Sequence, residues 1–170
     1  MRILSAFTAA LLLLGSPAAT FAQTAPAPAA PAPMVIYDDA LMPGWDNWSW
    51  AKVTLSKEIG ADVKPIAVEG DAWTALAFHH APFSTAGYTK LTFYINGGET
   101  GGQPLAVRAL SGGKTIESNY IIRPEANTWN VVEVPLSEIG AANATIDGIW
   151  LQAMTNQPYS TYYVTIIQFE

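Results

Sequence analysis

The sequence contains no cysteine. Its absence excludes disulfide staples, a thiol nucleophile, thiolate metal sites and a lipid anchor carried on an N-terminal cysteine. Charge is also scarce, since only 13% of residues are Asp, Glu, Lys or Arg, and 14 acids against 8 bases give a formal net charge of −6. Nucleic acid is therefore not an expected partner, and an anionic membrane surface repels such a chain. Histidine occurs only as the adjacent pair His79 and His80. Neighbouring residues of a strand point to opposite faces, so the two are not placed to ligate one ion without a bulge. Catalytic signatures are missing too: there is no Gly-x-Ser-x-Gly elbow and no His-Glu-x-x-His, and no pair of carboxylates is marked by its context as a glycosidase pair.

Long hydrophobic runs are limited to one, at the start. Met1-Arg2 is positive, Ile3 to Leu14 is mostly apolar, and Thr20-Phe21-Ala22 offers a cleavage point before Gln23. The run is too short to span a bilayer and no second one follows, so residues 1–22 are expected to be a signal peptide, with no membrane insertion after cleavage. Residues 23–33 follow as an Ala/Pro-rich linker that has nothing to bury in a core. The folded domain is then 34–170. An exported domain without disulfides suggests a secreted or periplasmic bacterial protein whose stability comes from packing. Loss of Arg2 with the leader makes it one unit more negative.

What the remainder holds is aromatic and β-branched. Thr74 to His80, Lys90 to Asn96, Leu105 to Leu110, Ile116 to Arg123, Thr128 to Val134, Ile146 to Met154 and Tyr162 to Phe169 alternate or run as strands between turn signals. Gly97 to Gly102 reads as a hairpin loop and Ser111-Gly112-Gly113-Lys114 as another turn. Leu136 to Ala142 suggests one helical or irregular turn, with Ser137 as a possible cap. Many short strands and almost no amphipathic helix indicate an all-β protein, an antiparallel β-sandwich of jelly-roll type.

Three of the six tryptophans fall in Trp45-Asp46-Asn47-Trp48-Ser49-Trp50. On a strand Trp48 and Trp50 point the same way, with Ser49, Ala51, Val53 and Leu55 turned inward and Trp45 in the preceding turn. The alternation puts Leu91, Phe93 and Ile95 inside and Tyr94 outside; it does the same for Ile149, Leu151 and Ala153 against Trp150 and Gln152. Arg108 faces out, and one of His79 and His80 reaches the outer face while the other packs or bonds internally. Aromatic rings beside planar hydrogen-bonding groups are what a sugar requires, because its C–H faces stack while its hydroxyls are read by Arg, Gln, Asn or His. Each residue has a structural alternative: the tryptophan pair caps the sandwich, Tyr94 and Trp150 cover a loop, and Arg108 pairs with a carboxylate. Trp73 and Trp129 are expected in the core, and Glu99 in solvent.

Three stretches carry a resemblance to secreted bacterial domains with a galactose-binding-like sandwich of the carbohydrate-binding-module type. They are Val35-Ile36-Tyr37-Asp38-Asp39 leading to Gly44-Trp45 and Trp48-Ser49-Trp50, then Gly87 to Tyr94, then Ile146-Asp147-Gly148-Ile149-Trp150-Leu151-Gln152. The resemblance covers Val35 to Phe169 and implies the fold and a sugar ligand; such domains also serve adhesive and structural roles. They often hold a structural calcium between acids near the first and last strands. Here the last strand ends Tyr163-Val164-Thr165-Ile166 without that carboxylate, leaving Asp38, Asp39 and Glu170 as oxygen donors. No other cofactor is expected.

The sequence thus points to a non-catalytic module that binds a polysaccharide or oligosaccharide. Trp48, Trp50, Tyr94 and Trp150 are its stacking candidates, and His79, Arg108 and Gln152 its hydroxyl readers. A structural or adhesive envelope module binding protein is the alternative, and a small glycan-active hydrolase the third.

Overall fold

A computed structural model describes residues 30–170. The expected signal peptide and most of the linker lie outside these residues. Ala30 to Pro33 carry no regular secondary structure, and the Tyr88 hydroxyl donates to the Ala32 carbonyl at 3.3 Å.

In chain order the strands are β1 (Met34–Asp38), β2 (Ala40–Leu41), β3 (Trp45–Asn47), β4 (Lys52–Thr54), β5 (Ile66–Gly70), β6 (Ala75–Ser84) and β7 (Lys90–Asn96). They continue as β8 (Leu105–Ser111), β9 (Lys114–Thr115), β10 (Ile121–Ile122), β11 (Trp129–Pro135), β12 (Thr145–Ala153) and β13 (Tyr159–Phe169). The first sheet runs β11-β7-β13-β1-β2, with β5 also paired to β13 and β4 to β5. The second runs β10-β8-β12-β6-β3, with β9 on β8. All pairings are antiparallel. The chain is the antiparallel β-sandwich that its alternation predicts, and no helix occurs among the described residues.

The core is the sum of the inward positions. Leu91, Phe93 and Ile95 of β7, with Tyr162, Val164 and Ile167 of β13, meet Leu76 and Phe78 of β6, Val107 of β8 and Ile149 and Leu151 of β12. Each such side chain contributes about 1.5–3 kcal/mol when fully buried. Alternation also fixes register, since a slip of one residue would bring Thr92, Tyr94 and Asn96 inside. Strand β13 is the longest because it serves two partners on one side: its first half pairs with β5 and its second with β1. A bulge at Ile166, whose φ is 48°, makes the change of direction possible.

Two sequence expectations fail here. Gly97 to Gly102 is not a hairpin loop, because β7 lies in the first sheet and β8 in the second. The loop crosses between sheets, pinned by Gly97 N–H to the Glu125 carbonyl at 2.9 Å, Gly102 N–H to Pro124 at 2.8 Å and Asn127 N–H to the Gly98 carbonyl at 2.7 Å. Its glycines serve close backbone approach: a Cβ on Gly98, where φ is 69°, would lie 1.7 Å from the Thr161 carbonyl oxygen. Ile116 to Arg123 is likewise not one strand. Within it only β10 is strand, paired with one end of β8, while β9 precedes it and pairs with the other end; the segment between them is held by Val107 N–H to the Tyr120 carbonyl and the Ser118 hydroxyl to the Val107 carbonyl. Leu136 to Gly140 forms the expected turn.

The acids expected as oxygen donors, Asp38, Asp39 and Glu170, lie near the two ends of the domain's chain. Asp39 Oδ1 accepts the Lys64 N–H at 2.7 Å, Glu170 is engaged by Lys90 and Gln168, and no group of three or more acids or histidines among the described residues is placed to hold an ion.

Two stability outcomes follow from this packing. Gly98→Ala should cost about 3 kcal/mol or more in urea denaturation, combining strain at positive φ with a backbone clash. The Tyr162 hydroxyl is fully buried without a hydrogen-bond partner, and burial holds its pKa well above the usual phenol range. Tyr162→Phe should therefore be neutral or stabilising by about 1 kcal/mol. The unfolded chain releases this proton first, so its stability contribution is intact below about pH 10 and falls above it. The decline of unfolding free energy with alkaline pH should be shallower in Tyr162→Phe than in the wild type.

Candidate functional site

The outer face of the second sheet carries the tryptophan cluster. Strand β3 ends at Asn47, but the chain continues along the edge of β6: Trp48 N–H donates to the Ala77 carbonyl at 2.9 Å, and Trp50 and Ala51 N–H groups both reach the Ala75 carbonyl, at 3.2 and 3.1 Å. Between them the Ser49 hydroxyl substitutes for the backbone, accepting the Ala77 N–H at 2.9 Å. Ser49 thereby turns inward, and Trp48 and Trp50 are 49% and 46% exposed. Ala51 is buried, while Val53 and Leu55 pack against the core, as the alternation predicts. Trp45 is not part of the preceding turn. It opens β3 and is buried against His80 and Phe83, because it occupies an inward position opposite His80.

Across the sheet the neighbouring strands complete the cluster. Ala77 stands opposite Trp150, which stands opposite Arg108; one step along, Ala75 faces Gln152. Ala75 and Ala77 are small and buried beneath the aromatic layer, which lets the indoles lie close to the sheet. Trp50 meets Trp150 edge to face at 5.0 Å between ring centres. Trp48 lies flat on His79, with ring centres 3.7 Å apart and planes parallel to 1°. One indole face is thus supported by imidazole while the residue stays half exposed. Of the two histidines, His79 faces out and His80 packs internally, its Nδ1 2.6 Å from the Ala81 carbonyl oxygen.

Polar groups converge on the same place. Arg108 is mostly buried and paired with the exposed Glu117 at 3.1 Å, the structural role that a sheet-face arginine has as its alternative. The pairing fixes the guanidinium yet leaves Nε without a partner, and Trp150 Nε1 is also buried and unpaired. Gln152 Nε2 donates to the Trp73 carbonyl at 3.1 Å, and Trp50 Nε1 donates to the same oxygen at 2.9 Å. Gln152 Oε1 accepts no hydrogen bond among the described residues.

Three expectations need correction. Tyr94 is exposed, but β7 belongs to the first sheet, so it lies on the opposite outer face from Trp150 and Arg108. Outward direction is legible from alternation; sheet membership is set by long-range pairing. Trp73 is 50% exposed rather than core, at φ 61° in the loop before β6, where its carbonyl anchors Trp50 and Gln152. Its position after Gly70-Asp71 was the available signal, since a loop tryptophan has no inward face to occupy. Trp129 is 37% exposed at an outward position of β11.

No family model matches the chain. A curated relative, an endoglucanase of Dictyostelium discoideum, is 26% identical over 142 residues, a match covering 78% of this chain and 20% of that protein. The chain thus spans about a fifth of the length of the relative it matches. Among solved structures, a family 29 carbohydrate-binding module complexed with cellulohexaose superposes with a TM-score of 0.62 at 14% identity, over 81% of this chain and 89% of the other. A second, complexed with mannohexaose, gives 0.59 at 13% identity over 81% and 90%. These likenesses show the shared fold.

The Ser49 hydroxyl is the local keystone of the cluster. Ser49→Ala would leave the buried Ala77 N–H unpaired and should cost about 1–3 kcal/mol in urea denaturation. Near-UV circular dichroism of the tryptophans should weaken in the same variant.

Proposed function

We propose that this chain is an exported, non-catalytic carbohydrate-binding module that holds a polysaccharide or oligosaccharide against the outer face of its second sheet. The observation that carries the reading is the half-exposed Trp48 and Trp50 pair standing beside His79, Trp150 and Gln152 on one outer face. Stacking on the indoles removes the apolar C–H face of a pyranose from water, while sugar hydroxyls donate to Gln152 Oε1 beside them. His79 supports Trp48 from behind. Because the indoles are already fixed by Ser49, His79 and the Trp73 carbonyl, little ordering entropy is spent on binding.

The solved modules complexed with cellulohexaose and mannohexaose support this reading of the fold, and the endoglucanase relative supports a role beside glycan-active chemistry. Export is supported by the three-part leader at residues 1–22.

A panel of soluble and insoluble glycans, including cellulohexaose and mannohexaose, tests the proposal. Retention on at least one glycan is expected, without release of reducing ends. Trp48→Ala combined with Trp150→Ala should weaken it at least ~10-fold, equivalent to ~1.4 kcal/mol. Absence of retention throughout the panel, or retention unchanged in the double variant, would sink the idea.

A further inference from the structure

The first sheet has an aromatic outer face of its own, on the opposite side of the sandwich. Trp129 of β11, Asn96 of β7 and Tyr163 of β13 stand in register across three neighbouring strands. With strands about 4.8 Å apart, the two aromatic residues flank the amide at a separation of roughly 10 Å. Above this row opens a cavity of about 520 Å³, rimmed by Glu99, Asn127 and Ser160. Its size lies within the range of small-ligand sites, roughly 300–1,000 Å³.

The loop that shapes the cavity is held firmly. Asn96 Oδ1 accepts the Gly98 N–H at 2.9 Å, which orients the amide and leaves its NH₂ without a partner among the described residues. Asn127 sits at φ 52° and donates to the Glu99 carbonyl, and the Ser160 hydroxyl meets that of Thr100 at 2.7 Å. The Glu99 carboxylate forms no ion pair among the described residues. Two residues further along the same face, Tyr94 and Val131 are exposed side by side, 42% and 52%, and extend the apolar surface beyond the cavity.

We propose that this cavity is a second saccharide site, independent of the tryptophan cluster. The two aromatic walls stack on sugar rings, and Asn96, Asn127 and Ser160 read hydroxyls between them. A protein partner fits less well: interface centres are depleted in acidic groups, whereas this concavity is lined largely by amides, hydroxyls and a carboxylate. Glu99 is the only charged lining residue, so the ligand is an uncharged sugar; a uronate would be repelled. Sites on opposite outer faces share no residue and engage two glycan chains at once, which makes the domain a cross-linker on insoluble polysaccharide.

The test is titration of the ¹⁵N-labelled protein with cellulohexaose, and separately with mannohexaose, following the indole N–H signals of its 6 tryptophans. With either sugar the Trp129 signal should shift saturably in the wild type and equally in the Trp48→Ala/Trp50→Ala variant. Calorimetric stoichiometry should fall from two sugars per chain to one in Trp129→Ala, with Trp48 and Trp50 signals still responding. Shifts confined to Trp48, Trp50 and Trp150 with both sugars would overturn the second site and leave the first standing. A response of Trp129 alone would do the reverse, and no response to either hexaose would count against both. Because the wild-type titration reads Trp129 directly, the outcome does not depend on any variant folding.

Discussion

Burial of the two inner sheet faces against each other is the constraint on which the rest depends. With no disulfide available, packing must hold the sandwich, and strands with a period of two leave only one register that keeps Phe93, Ile149 and Tyr162 out of water. That register dictates the outer faces. Trp48, Trp50, Trp150 and Arg108 face solvent because their sequence neighbours are needed inside. The bulge at Ile166 and the crossing loop at Gly98 are local concessions to the same constraint.

On the second sheet, the outward aromatic layer is tied down by specific contacts. Each indole is held by something specific: Trp48 by parallel stacking on His79, Trp50 by the Trp73 carbonyl, and Trp150 by the edge of Trp50. Ala75 and Ala77 contribute by being small. The unpaired Trp150 and Arg108 donors run against stability. The first sheet offers a different arrangement, a cavity between two aromatic walls rather than a layered patch. A sandwich can carry both because its two outer faces are free of each other.

Much of this was legible in the residues. The inward set of β7, β8 and β12 follows from alternation, and so does the outward direction of Trp48, Trp50, Trp150, Gln152 and Arg108. The division of His79 from His80 needs only the rule that neighbours on a strand oppose. Trp73 and Trp129 were misplaced because a large apolar side chain is usually buried. What decided their exposure was a loop conformation at φ 61° for one and an outward position on a sheet edge for the other.

The sequence by itself determined the fold class and which side of each strand meets water, because a two-residue period is a local property of the chain. It also placed one cluster, Trp48 and Trp50, since both lie within one short segment. Only the tertiary structure decided which strands share a sheet. That pairing moved Tyr94 to the far face, converted the Gly97 to Gly102 loop from a hairpin to a crossing, and set Trp129 and Tyr163 about Asn96. Such contacts join residues tens of positions apart, and no local pattern encodes which distant partner a strand will find.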